Sequence, residues 1–248
     1  MRLTLWGMVL SLASVGLVSC TKKATGSETT STRTPTSENL ENRSAAQSGW
    51  VPLPVTLPKQ AFKWNVPSSR AGVSNLEPGQ VRPRPDFLAP VGVTNVALGS
   101  PVTASMDPPV KGELSQLVDG DKEATEEGLI DLGPSIKWVQ IDLGSPHELW
   151  AILFWHFHLQ ECVYYDVVVQ VADDPDFIAN VRTLFHNDID NSSGLGVGHD
   201  QNYGEDHEGK LVNARQEVAR YVRLYSHGNN LNDRNHYLEI EVYGRPAK

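Results

Sequence analysis

The C-terminal part of this 248-residue chain is predicted to be an all-β, antiparallel β-sandwich. Three observations predict it. Between Asn95 and Lys248 apolar and polar residues alternate at the period of a strand, turn residues interrupt the runs at short intervals, and helical periodicity is nearly absent. A segment of that length can bury one sizeable core.

The strands follow in order. In Trp138-Val-Gln-Ile-Asp-Leu143, Val139, Ile141 and Leu143 share one face while Gln140 and Asp142 share the other. Leu149 to His158 is a continuous apolar and aromatic run, the pattern of a strand buried on both sides. Tyr165 to Ala172, Tyr221 to Ser226 and Tyr237 to Tyr243 complete the clear set. Asp119-Gly120, Leu143-Gly-Ser-Pro146, Asp173-Asp-Pro-Asp176 and Asn-rich segments read as the turns between them.

The N-terminus has a different logic. Arg2 precedes an apolar stretch, Leu3 to Leu17, which is too short to span a membrane and has no stop-transfer pattern after it. It reads as a secretory signal over residues 1–19. Leu17-Val-Ser-Cys20 resembles the bacterial lipobox, which implies cleavage before Cys20 and acylation of its thiol; the alternative is an ordinary signal peptide with a chance cysteine. Each buried acyl methylene contributes roughly 0.8 kcal/mol, so lipid on Cys20 would hold the chain on a membrane without a spanning helix. Thr21, rather than Asp, follows the cysteine, and the resemblance then implies the outer membrane of a bacterial cell envelope.

Residues 20–49 are rich in Ser, Thr, Asn and Glu with almost no apolar side chains, and are expected to form a disordered tether. Residues 50–94 carry eight prolines from Pro52 to Pro90, which forbids continuous helix or central strand. Trp50, Phe62, Trp64 and Phe87 punctuate this stretch, so it reads as an extended strap laid along the folded domain of residues 95–248.

Charge separates the two parts. Residues 21–94 hold 9 Lys/Arg against 5 Asp/Glu, whereas residues 95–248 hold 11 against 25 and all eight histidines. So acidic a domain argues against nucleic acid or anionic lipid as partner, and leaves cations and neutral polar ligands open. With Cys20 acylated, Cys162 has no intramolecular disulfide partner and reads as a small buried apolar residue.

Five motifs carry a resemblance. They are Asn95-Val-Ala-Leu-Gly-Ser-Pro-Val-Thr103, Leu117-Val-Asp-Gly-Asp121 with Thr125, Trp138-Val-Gln-Ile-Asp-Leu-Gly144, Arg220-Tyr-Val-Arg-Leu224 and Glu239-Ile-Glu-Val-Tyr-Gly244. In that order they resemble the discoidin, or coagulation factor V/VIII type C, domain of the galactose-binding-like superfamily, whose bacterial relatives include family 32 carbohydrate-binding modules. The resemblance implies a jelly-roll sandwich with its first and last strands adjacent, and binding rather than catalysis. Phospholipid binding by eukaryotic relatives does not transfer, because so negative a domain has no evident basic collar.

The resemblance also implies a structural calcium ion. Calcium takes roughly six to eight oxygen ligands, mixing carboxylates with carbonyls of a tight turn. Carried onto this sequence, the ligand set is Asp119, Asp121, Thr125 and Glu239, with the carbonyls of Gln116 and Leu238. The family's Trp after the Thr is replaced here by Glu126-Glu127, which alters the loop's path; the alternative is a plain Asp-Gly turn without metal.

A second acidic stretch runs from His186 to His207. Asp188, Asp190 and Asn191 suggest an oxygen-ligand loop, yet the EF-hand pattern fails and His199 and His207 are too loosely spaced for zinc. It reads as a mobile, solvated loop. For a ligand, sugar binding needs an aromatic face and a few planar donors and acceptors. His156 and His158 at the end of the buried run, Tyr164, and Arg234, Asn235 and His236 before the last strand form the candidate patch. The alternative is that His156 and His158 are satisfied at the core edge and that the Asn-rich run is turn chemistry.

Three function classes follow: a membrane-anchored glycan-binding module, an envelope protein-interaction or structural module, and an enzyme. The enzyme is least favoured, since no Ser/His/Asp, paired-carboxylate or phosphate-loop arrangement stands out.

Overall fold

The computed structural model describes residues 49–62, 72–78 and 83–248. The signal segment, Cys20, the tether to Ser48, and residues 63–71 and 79–82 of the strap lie outside the described residues. Ten strands run in order: β1 (Trp50–Pro52), β2 (Leu88–Pro90), β3 (Thr94–Asn95), β4 (Val102–Ala104), β5 (Ile130–Pro134), β6 (Lys137–His156), β7 (Val168–Ala172), β8 (Arg182–His186), β9 (Lys210–Ser226) and β10 (Arg234–Pro246). A short 3-10 turn, Leu114–Val118, leads into the Asp119 loop. Among the described residues no helix is long and apolar enough to cross a membrane.

Strands β3 to β10 form a continuous antiparallel sheet folded into two layers. The first half of β6 pairs with β4 and with the second half of β9, which continues to β7 and β8. The second half of β6 pairs with the first half of β9 on one side and β10 on the other, and β10 continues to β3 and β5. Val139, Ile141, Val169, Val171, Val222 and Leu224 of one layer meet Ile152, Phe154, Val212, Ala214, Ile240 and Val242 of the other in one core. This is the predicted antiparallel sandwich. The first and last strands are adjacent, with Asn95 opposite Tyr243.

Several elements depart from the sequence reading. Leu143-Gly-Ser-Pro146 does not reverse the chain: the two strands read on either side of it are halves of β6, and the register slips between Asp142 and His147 where the strand bends between layers. Gly144 supplies the positive φ (78°) that this bend needs. Strand β9 bends likewise at Arg215 and Gln216, both at positive φ. Its first half had no alternation strong enough to read, because its inward residues Val212, Ala214 and Ala219 are small. Strands β5 and β8 were also not read.

The run Leu149 to His158 is buried throughout, and the strap explains why. Leu149, Ile152 and Phe154 point into the central core, whereas Trp150, Leu153, Trp155 and Phe157 face the opposite side of the same layer. There Leu53, Val55 and Phe87 pack onto them with Ala89 and Val93, forming a second apolar cluster. Prolines keep both arms of the strap extended, and β1 and β2 pair antiparallel with Trp50 opposite Pro90. Arg84 fastens the second arm, its guanidinium donating to the carbonyls of Gly209 (2.7 Å) and Glu208 (2.8 Å). The Lys59 N–H donates to the Glu123 carboxylate and holds the first.

Candidate functional site

The Asp119 loop lies beside Glu239. Leu117 and Val118 are fully buried and anchor the 3-10 turn, so the chain leaves the core at Asp119. Gly120 follows at φ 90°, a conformation that disfavours a side chain. Asp119 Oδ1 then accepts the Asp121 N–H (2.8 Å), and Asp121 Oδ1 accepts the Glu123 N–H (3.0 Å), winding the loop tightly. The Gly120 N–H donates across to Glu239 Oε1 (3.1 Å).

Glu239 is fully buried, and its Oε2 has no hydrogen-bond partner among the described residues. Burial first, then the neighbouring Glu241 and Asp119 carboxylates, push its carboxyl up to about 9. The β10 register slips between Tyr237 and Glu239, so the Leu238 backbone sits at a bulge outside the ladder to β6. Thr125 Oγ1 accepts the Gly128 N–H (3.1 Å), and Gln116 bridges Glu113 N–H to the Glu127 carbonyl. The unpartnered Glu239 oxygen beside Asp119 suits a hard cation, but Asp119, Asp121 and Glu239 do not bring three carboxylates within 4.8 Å of one another, whereas Asp166, Asp188 and Asp190 do.

Lys122, next in the loop, turns inward. Its ammonium pairs with the buried Glu241 and sits 4.9 Å from the Trp155 ring centre. The Tyr243 hydroxyl donates to the other Glu241 oxygen (2.8 Å). His158 Nε2 contacts the Lys122 carbonyl at 3.1 Å, so this histidine positions the loop.

The six candidate ligand residues do not form one open patch. His156 is fully buried, its Nδ1 is 2.6 Å from Glu205 Oε1, and its ring stacks on Tyr164 at 4.0 Å and 12°. His158 and Tyr164 are buried as well. The Asn235 amide is also buried: Oδ1 accepts from Ser226 Oγ and Gly228 N–H, while Nδ2 donates to the Gly133 and Ser135 carbonyls. These four sit inside, each against partners distant in sequence, and among the described residues His156 Nε2 and His158 Nδ1 have no hydrogen-bond partner. Arg234 and His236 are the two that reach the surface. Asp131 of β5, which the sequence reading missed, gathers them: Arg234 Nε donates to Asp131 Oδ2 (3.0 Å), and His236 Nε2 lies 3.7 Å from the same oxygen. The Phe157 ring stands edge-on to His236 at 6.4 Å. Desolvation, with help from the nearby Arg234 and His156 charges, lowers the His236 pKa against the pull of Asp131.

The loop read as solvated is exposed over most of residues 189–201 and packed at its two ends. Asn187, Asp188, Asn202, Tyr203 and Glu205 are all buried, and Glu205 anchors the segment to His156. Asp188 accepts from the N–H groups of Ser192 and Ser193 and from Ser193 Oγ, with Asp166 and Asp190 close by. Cys162 is a buried free thiol, raised to about 12 chiefly by burial.

No protein-family description matches the sequence, and no curated protein is significantly similar to it. Solved structures do share the fold. A family 89 glycoside hydrolase from Clostridium perfringens aligns with 62% of this chain at 20% identity and a TM-score of 0.45; the chain spans only 15% of that enzyme. The family 32 carbohydrate-binding module of AlyQ, solved with 4,5-unsaturated mannuronic acid, aligns with 57% of this chain and 92% of its own length, at 20% identity and a TM-score of 0.38. A fucose-binding module of Streptococcus pneumoniae aligns with 60% of this chain and 97% of its own, at 17% identity and a TM-score of 0.40. At these identities and scores the likenesses assign no residue of this chain a role.

Proposed function

We propose that this chain is a non-catalytic, saccharide-binding module that takes its ligand at the edge where β5 meets β10. The observation that carries the reading is the half-exposed group of Arg234 and His236 on Asp131, with Phe157 beside it. A guanidinium and an imidazole supply planar donors and the carboxylate orients them, while the buried Phe157 ring backs the imidazole, a combination that fixes sugar hydroxyl groups. The resemblance to family 32 modules supports the same class.

The reading includes a calcium ion held by Asp119, Asp121, Glu239 and carbonyls of the loop and of Leu238, with Thr125 and Gln116 shaping the loop. The ion would supply positive charge against the neighbouring Asp119 and Glu239 carboxylates and so stabilise the folded loop. It also includes display from a bacterial cell envelope by lipid on Cys20, with the outer membrane implied by Thr21.

A glycan array probed with the full chain, followed by calorimetric titration of the best hit, tests the saccharide reading. The expected result is binding that weakens at least tenfold in Arg234→Ala. Retention of no neutral or amino sugar, or an Arg234→Ala variant that binds as tightly as the parent, would sink it.

A further inference from the structure

The strap does more than cover apolar rings. Between its first arm and the Gly120–Glu123 segment lies a cleft of about 310 Å³. Pro54, Leu57 and Pro58 give one side an apolar wall, and Thr56 stands exposed beside them. The other side is polar: Asp121, Lys122 and Glu123 from the loop, with Glu241, Tyr243 and Asn95. None of these groups belongs to the Arg234 and His236 edge.

We propose that this cleft is a second binding site, for a single sugar ring that carries no negative charge, with amino sugars preferred. Its volume sits at the lower end of small-ligand pockets, which are roughly 300–1,000 Å³, and suits one ring rather than an oligosaccharide. The prolyl and leucyl wall offers an apolar surface to the C–H face of a ring. Across from it, the Lys122 ammonium has three donors and gives one to Glu241, while Glu123 presents a carboxylate. Donors and acceptors together match hydroxyl groups. With Asp121 given to the calcium ion proposed above, Glu123 and Glu241 against the Lys122 ammonium still leave the lining at −1, which repels uronic acids and attracts an amine.

The buried polar members are already paired without a ligand. Glu241 takes Lys122 on one oxygen and Tyr243 on the other, so the floor is held in shape before binding. The Lys59 N–H on Glu123 ties the strap to the loop, so both walls keep their spacing. The site exists only because the strap is docked; residues 95–248 alone would form half of it.

Saturation-transfer NMR on the full chain with glucosamine, glucose and glucuronate tests the assignment. Glucosamine is expected to receive the strongest transfer, glucose less, and glucuronate none. Thr56→Trp, an exposed substitution that fills the mouth of the cleft, is expected to weaken glucosamine binding at least tenfold with the melting temperature unchanged. Arg234→Ala is expected to leave it within twofold. Glu123→Gln, which keeps an acceptor for the strap, is expected to reduce the preference for glucosamine over glucose. Binding lost in Arg234→Ala but kept in Thr56→Trp would overturn the cleft while leaving the edge site standing. Transfer to none of the three sugars, or strongest transfer to glucuronate, would also overturn it.

Discussion

Replacing Arg84 by Ala isolates the hold of the strap on the sandwich. The guanidinium donates two hydrogen bonds to main-chain carbonyls, at 2.7 Å to Gly209 and 2.8 Å to Glu208. Bonds of this charge-assisted kind contribute about 1.5–3 kcal/mol each, and a half-buried site lets water replace part of that, so the pair stabilises strap docking by about 2–3 kcal/mol. At tenfold per 1.4 kcal/mol, strap opening rises by roughly 30- to 150-fold. Hydrogen exchange resolves it by residue. The Leu53 N–H, bonded to the Phe87 carbonyl, and the Val91 N–H, bonded to the Gly49 carbonyl, are expected to exchange faster by that factor. Amides of the β6–β9 ladder, such as those pairing Val139 with Leu224, are expected to keep their protection, because the strap opens as a unit separate from the core. Unchanged exchange at Leu53 and Val91, or an equal rise throughout the ladder, would refute the reasoning.

Three further outcomes follow from the packing. A fragment beginning at Asn95 uncovers Trp150, Leu153, Trp155 and Phe157, and is expected to bind an apolar dye and aggregate, whereas a fragment beginning at Gly49 stays monomeric in size-exclusion chromatography. Asn235→Ala removes an amide that serves four buried or half-buried partners and is expected to cost about 3 kcal/mol in denaturant unfolding; a cost under about 1 kcal/mol would contradict the assigned network. Cys162, with its thiol pushed up to about 12, is expected to resist alkylation in the native protein up to pH 9 and to react at once on unfolding; rapid native labelling near pH 8 would contradict its burial.

The sandwich was legible because its signals are local. Alternation in Trp138–Leu143 and the double-sided apolar run after Leu149 each state which faces are buried. The nearness of the Asp119 loop to Glu239 was legible for a similar reason: Asp119-Gly120-Asp121 sits in one short motif, and the Gly120 N–H reaches a single remote residue, Glu239. What stayed hidden depends on distant partners. His156 and His158 read as loop-end groups because a histidine in a strand announces a polar surface, whereas Glu205 and the Lys122 carbonyl each hold one ring nitrogen of them in the interior. Nothing in the sequence marks Glu205 as that partner, since it lies in a stretch that reads as solvated. Asp131 was missed with β5, whose buried Ile130 and Leu132 flank it in too short a run to register. The strap's aromatic residues are the one sequence clue to its docking; Phe87 packs on the second apolar cluster, together with the aliphatic Leu53 and Val55.

Thermal unfolding of the full chain in saturating calcium and in excess chelator tests the arrangement around Glu239 most directly. At a hundredfold excess over Kd the ion stabilises the folded state by about 2.7 kcal/mol, which raises the melting temperature of a domain this size by roughly 5–10 °C. Glu239→Gln, which keeps the side chain's shape and removes its charge, is expected to abolish most of that rise. An identical melting temperature with and without calcium, or a full rise in Glu239→Gln, would contradict the claim that the Asp119 loop and the bulged start of β10 close around a cation.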